Sequence, residues 1–162
     1  MTAELPPDLH KWATALRTQH FPPERNYLEA HVTLFHALPG QMEAELLRYL
    51  ASICGRTVPV PARLDGVMSL GRGTALKLLS PQLLALRDEI AEHCHGLLTA
   101  QDQARPRLHV TIQNKVEPNA AKALQQRLET AIQPRNFAFR GLVLHRYMDG
   151  PWELVKRFGF RG

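Results

Sequence analysis

Two short strings carry side chains that can do chemistry together. They are His31-Val32-Thr33-Leu34 and His109-Val110-Thr111-Ile112, each reading His, aliphatic, Thr, aliphatic, and they lie 78 positions apart. Side chains alternate between the two faces of an extended strand, so His31 and Thr33 leave one face about 7 Å apart while Val32 and Leu34 anchor the other. His109 and Thr111 repeat the arrangement. Imidazole titrates near pH 6.5, so at neutral pH one histidine can be neutral while its partner is protonated. Two such groups on opposite sides of a phosphorus centre supply a general base for the attacking oxygen and a general acid for the departing one. Two threonine hydroxyls can donate to the non-bridging phosphoryl oxygens and hold the group in line. Carboxylates are sparse beside both strings, which argues against a two-metal nuclease. Neither a metal nor another cofactor is expected.

The elements that must position these strings follow from hydrophobic spacing. After Pro6-Pro7-Asp8, the residues Leu9, Trp12, Ala13 and Leu16 fall at helical intervals, and Pro22-Pro23 closes the helix. Residues 30–38 read as the first motif strand. Met42, Leu46, Leu47, Leu50 and Ile53 form the stripe of a second helix, 41–54. Residues 57–70 and 74–79, around Gly71-Arg72-Gly73, read as a hairpin. Ser80 is a natural N-cap with Pro81 at the first helical position of a third helix. Residues 108–116 are the second motif strand, Pro118 opens a fourth helix, and 137–147 and 152–160 form a closing hairpin around Asp149-Gly150-Pro151. The order helix, strand, helix, hairpin occurs twice, an α+β pattern of two similar lobes within a single domain spanning 1–162, with one motif strand in each lobe. Thr2–Leu5 offers a short further strand at an edge of the N-terminal lobe.

Composition bounds the function. With 162 residues, 44% apolar and 22% charged, the chain can bury a real core. No apolar run approaches the roughly 18 residues of a membrane helix, and Met1–Pro7 has no signal-peptide character. Cys54 and Cys94 are too few for a disulfide framework and lack zinc spacing. A cytoplasmic protein with no membrane and no obligate protein partner fits these bounds. Residues 1–104 carry nine basic and eleven acidic groups, a net of −2, whereas 105–162 carry eleven and four, a net of +7. A basic C-terminal portion fits an anionic partner such as RNA or a nucleotide.

The paired His-x-Thr-aliphatic strings resemble the signature of the two-histidine phosphoesterase superfamily. The stretch His20-Phe21-Pro22-Pro23-Glu24-Arg25-Asn26, continuing to His31-Val32-Thr33-Leu34-Phe35-His36-Ala37-Leu38-Pro39, resembles its bacterial 2′-5′ RNA ligase-like branch. Leu70-Gly71-Arg72-Gly73 and Gly150-Pro151-Trp152-Glu153 do so too. The resemblance covers essentially the whole chain. It implies a bilobal, pseudo-twofold α+β fold of two antiparallel sheets with flanking helices around a central cleft. It also implies metal-independent chemistry on 2′,3′-cyclic phosphates or 2′-5′ phosphodiester bonds of RNA ends or small nucleotides. His31 and His109 would be catalytic, and Thr33 and Thr111 phosphate-binding. A non-catalytic RNA-binding module and a phosphodiesterase for a non-RNA cyclic phosphate are the alternatives.

Other residues are expected around this centre. Phe35 shares the alternation face of His31, where it can stack on a base or pack at the core edge. Gln113 and Lys115 share the face of His109 and are candidate substrate contacts, and Arg72 at the hairpin turn can reach an anion. His36, at an odd spacing from His31, belongs to packing on the other face. Glu29 can orient His31 if the strand begins early. His93-Cys94-His95 is no metal cluster, because positions i and i+2 diverge on a helix. Arg105 and Arg107 read as surface charge, Tyr147 as a cap of the final hairpin and Trp152 as a core residue.

Overall fold

Both motif strands lie at the edge of a sheet. The computed structural model describes residues 1–162. It runs β1 (Thr2–Glu4), α1 (Pro7–His20), β2 (Val32–Thr33), α2 (Glu43–Arg56), β3 (Val60–Ser69), β4 (Thr74–Leu79), α3 (Pro81–His93), α4 (Ala100–Gln103), β5 (His109–Gln113), α5 (Pro118–Ala131), β6 (Arg135–Phe139), β7 (Gly141–Tyr147) and β8 (Trp152–Gly159). Two four-stranded sheets result, in the orders β2-β1-β7-β8 and β5-β4-β3-β6. Every strand pair is antiparallel. Edge strands β2 and β5 pack alongside one another, so the two motifs meet where the sheets meet.

Local chemistry fixes the helices. Ser80 caps α3 by accepting from the Leu83 amide at 3.2 Å, with Pro81 in the first turn. Pro118 opens α5, whose Ala121, Leu124 and Leu128 are buried. Leu46, Leu50, Ile53 and Cys54 form the inner face of α2. One continuous apolar core runs through both sheets. It includes Val32 and Leu34 behind the first motif and Val110 and Ile112 behind the second. The anchors of the two chemical strings are therefore packed into the same interior, where a shift of one is felt by the other.

Several sequence expectations need correction. The motif strands are shorter than 30–38 and 108–116, at Val32–Thr33 and His109–Gln113. Thr2–Glu4 is an interior strand, paired with β2 on one side and β7 on the other, not an edge. The stretch 137–147 is two strands. Arg140 divides them, its amide donating to the Glu4 carbonyl and its carbonyl accepting from Phe160. As a result β6 joins the sheet of the second motif and β7 that of the first. The β3–β4 hairpin, which follows the first motif in sequence, pairs with the second motif strand instead. The halves of the chain are thus exchanged between the sheets. Gly141 makes the close approach of β7 to β8 possible, because a Cβ there would lie 2.2 Å from the Phe158 carbonyl oxygen.

Candidate active site

The two histidines are held by the same hydrogen bond. Nδ1 of His31 lies 2.8 Å from the Glu29 carbonyl oxygen, and Nδ1 of His109 lies 2.7 Å from that of Arg107. A carbonyl oxygen only accepts, so Nδ1 of each ring carries a proton in either ionisation state. Nε2 is then the nitrogen left to exchange protons. His31 sits immediately before β2, and His109 opens β5. Thr33 opposes Thr2 across its sheet, and Thr111 opposes Ala75. Both motif threonines are half-buried. Lys77 is the cross-strand partner of His109, and its Nζ lies 2.9 Å from Asp65.

Burial sets the ionisation of His31. Burial pushes His31 down from its ordinary value to about 4, and the positive charge of Arg17, His145 and His109 works in the same direction. The Glu29 carbonyl opposes this by stabilising the protonated ring. His31 is therefore neutral at pH 7, with an unprotonated Nε2.

A cavity of about 420 Å³ opens beside His31 on the β2-β1-β7-β8 sheet. Trp152, Leu154, His145 and Arg157 form one wall, and Tyr27 and Glu29 part of the other. His109 does not line it, so this space flanks the histidine pair rather than lying between its members. The Trp152 ring stands 4.8 Å from His31 and 5.1 Å from His145, tilted against each. His145 Nε2 lies 3.3 Å from Thr2 Oγ1. Burial lowers the pKa of His145 further than the nearby terminal amine and Arg157 do.

The structure brings His31, Thr33, His109 and Thr111 to the junction of the sheets and places the other expected contacts elsewhere. Phe35 is 1% exposed, with the Arg87 guanidinium 4.4 Å above its ring. It cannot stack on a base, because β2 ends at Thr33 and strand alternation stops with it. Gln113 ends β5, but it is 8% exposed and its carboxamide oxygen has no partner. Lys115 lies past the strand in a left-handed turn (φ 58°), off the face of His109. Arg72 is engaged at the α5 approach, donating from Nε to the Val116 carbonyl at 3.1 Å, with Nη2 3.6 Å from Glu117. His36 pairs with buried Asp102. Glu29 orients His31 through its carbonyl, while its carboxylate lies 3.3 Å from His10. Trp152 lines the cavity and is not a core residue.

Sequence reasoning missed Arg17, His145 and Lys77. Arg17 had a signal, since Leu9, Ala13 and Arg17 continue one buried helical line at intervals of four. A charge in that line marks an interior bond network. His145 had only strand alternation with Val143, which does not distinguish the two faces.

The α+β fold, two four-stranded antiparallel sheets with flanking helices, is of the two-histidine phosphoesterase type. The chain belongs to the 2′-5′ RNA ligase superfamily, whose family model matches residues 5–151. Three solved structures share the fold, each covering 99% of this chain and aligned over 96% of its own. They are TT0787 of Thermus thermophilus (TM-score 0.64, 17% identity), a phosphoesterase (0.57, 19%) and E. coli LigT complexed with 3′-AMP (0.52, 20%). No curated protein matches the chain by sequence.

Proposed function

We propose that the protein is a metal-independent phosphoesterase acting on 2′,3′-cyclic phosphates or 2′-5′ phosphodiester bonds of RNA ends or nucleotides. The observation that carries this reading is the matched pinning of both imidazoles through Nδ1, which leaves two Nε2 atoms to do the chemistry. His31, held neutral, is the base; His109 is the acid. His31 Nε2 takes a proton from water and the water oxygen bonds to phosphorus. The bond from phosphorus to one ribose oxygen breaks, and His109 Nε2–H protonates that oxygen. Thr33 and Thr111 donate to the non-bridging oxygens. An anion bound beside His31 raises its proton affinity, so the base strengthens as substrate arrives. A ribose 5′-hydroxyl in place of water gives ligation with the same groups.

The carboxylates near the motifs already have partners: Glu29 lies against the His10 ring, Asp65 against Lys77 and Glu4 against Arg157. The cavity beside His31, with Trp152 on its wall, accommodates the nucleoside. Cytoplasmic action fits such substrates, and no helix is long and apolar enough to cross a membrane.

Turnover of a 2′,3′-cyclic nucleotide in EDTA tests the reading. Activity should survive chelation and vanish in His31→Ala and His109→Ala. Loss of activity on chelation rejects metal independence, and full activity in both variants rejects the residue assignment. The excess positive charge of 105–162 favours one second reading, an RNA-binding module without turnover. Salt-dependent RNA binding that survives both replacements, with no product formed, would select it.

A further inference from the structure

We propose that Arg17 and Arg87 are a matched pair of positioning residues that fix the separation and alignment of the two motif strands. The catalytic consequence rests on the phosphoesterase reading above. Arg17, on α1, is 4% exposed. Its Nε donates to the Leu28 carbonyl at 3.2 Å and its Nη2 to Asn26 Oδ1 at 3.1 Å, both on the lead-in to His31. Its Nη1 crosses to the other sheet and donates to the Thr111 carbonyl at 2.7 Å. Arg87, on α3, is 3% exposed and makes the mirrored set of contacts. Its Nη2 donates to the carbonyls of Asp102 and Ala104, on the lead-in to His109. Its guanidinium lies over Phe35, two residues past Thr33 on the first motif segment.

Each arginine therefore holds the approach to its own motif and touches the strand or exit of the other. Each also stands in the buried line of its helix, with Leu9 and Ala13 in α1 and with Leu83 and Ile90 in α3. A guanidinium is costly to bury, and Arg87 Nε has no partner at all. Packing alone would favour an apolar residue at both positions. The rigid planar fork explains the choice, since it fixes several carbonyls in one plane where a single ammonium cannot.

One charge effect separates positioning from simple structural support. The groups acting on His31 are Arg17 from α1, His109 from β5, His145 from β7 and the Glu29 carbonyl from its own segment, with Trp152 of β8 against its ring. The His10 side chain from α1 faces the Glu29 carboxylate. Arg87 is not in this set. Removing the Arg17 charge therefore makes His31 easier to protonate, and removing the Arg87 fork does not.

The test compares Arg17→Lys, Arg17→Met and Arg87→Lys in the full chain. It measures kcat and KM on a 2′,3′-cyclic nucleotide across pH, and the NMR titration of the His31 Cε1 proton. All three variants should lower kcat, on the order of 100-fold, as for a misplacement of about 1 Å, with a smaller change in KM. Only Arg17→Met should move the His31 titration, and with it the acid limb of kcat/KM, to higher pH. Arg17→Lys keeps the charge and should leave both in place. Wild-type kcat in the two lysine variants overturns the proposal, and so does an unmoved His31 titration in Arg17→Met. If Arg17→Met does not fold, the lysine variants decide. A wild-type protein that turns over no cyclic phosphate defeats the phosphoesterase reading instead, and the NMR titration then judges the Arg17 contact on its own.

Discussion

Replacing His31 with asparagine should make the protein more stable in acid, although it removes the base. His31 is held down to about 4 in the folded chain, against roughly 6.5 when unfolded. A histidine with a depressed folded value binds protons more readily in the unfolded state. Its neutral form therefore costs no stability above pH 6.5, and stability is lost progressively as pH falls from 6.5 toward 4. Two and a half units at about 1.4 kcal/mol each set a limit of about 3 kcal/mol, reached below pH 4. At pH 5 the same two values give about 2 kcal/mol. Asparagine does not titrate, and its Nδ2–H can replace Nδ1–H as donor to the Glu29 carbonyl. Urea unfolding of both proteins at pH 7.5 and pH 5.0 measures the effect. With a slope of about 2 kcal/mol per M, the midpoint of the variant should rise relative to wild type by about 1 M between the two conditions. The low pKa of Asp102 also costs stability in acid, but it is common to both proteins and cancels. An identical wild-type-to-variant difference at both pH values would refute the claim that burial holds His31 neutral.

Other consequences are sharper at single residues. Trp152→Ala should raise KM for a 2′,3′-cyclic nucleotide more than for glycerol 1,2-cyclic phosphate, which has no base, by roughly 5- to 100-fold from lost stacking; steady-state kinetics on both substrates checks it. Asp102 accepts from the His36 and Ala37 amides at 2.8 and 2.7 Å, and these bonds and the His36 side chain hold its carboxyl below the usual range against burial. Asp102→Asn should therefore cost about 1–3 kcal/mol at pH 7, and the penalty should shrink as pH falls below the ordinary carboxylate range, read by urea titration. Burial pushes the Cys54 thiol up to about 12 and raises that of Cys94, so neither should react with a thiol reagent in native buffer at pH 8, while both should react once urea unfolds the chain.

What could be read in the sequence divides along the range of the forces involved. The caps and stripes of α3 and α5 were legible because Ser80, Pro81 and Pro118 act within one turn. The exchange of hairpins between sheets was not. Arg140-Gly141 interrupts the stretch from Phe137 to Tyr147, but that local mark does not say that its two parts pair in different sheets, which is set by hydrogen bonds linking Arg140 to Glu4 and Phe160 at opposite ends of the chain. Tertiary pairing of this kind overrides local pattern. Phe35 was misplaced for a related reason. Strand alternation extends to residue 38 in the sequence pattern, but β2 stops at Thr33 and the chain folds over Arg87, 52 residues from Phe35, and Asp102, 66 residues from His36.

The four central residues were nevertheless legible, and the reason is not strand length. His109 lies within β5, whereas His31 precedes a strand of only two residues. Pleat geometry is not what gives the two rings their common orientation. Each ring reaches back to the carbonyl two residues earlier, at Glu29 and at Arg107. Each is followed by an aliphatic residue, Val32 or Val110, that is fully buried and fixes the direction of the backbone. A buried anchor one residue after the histidine and a carbonyl two residues before it are both local requirements. The spacing His-x-Thr carries them even where the ladder is nearly absent. Long-range order is then needed only to bring the two edges together, and the two buried arginines, with Asp102 beside them, span that junction.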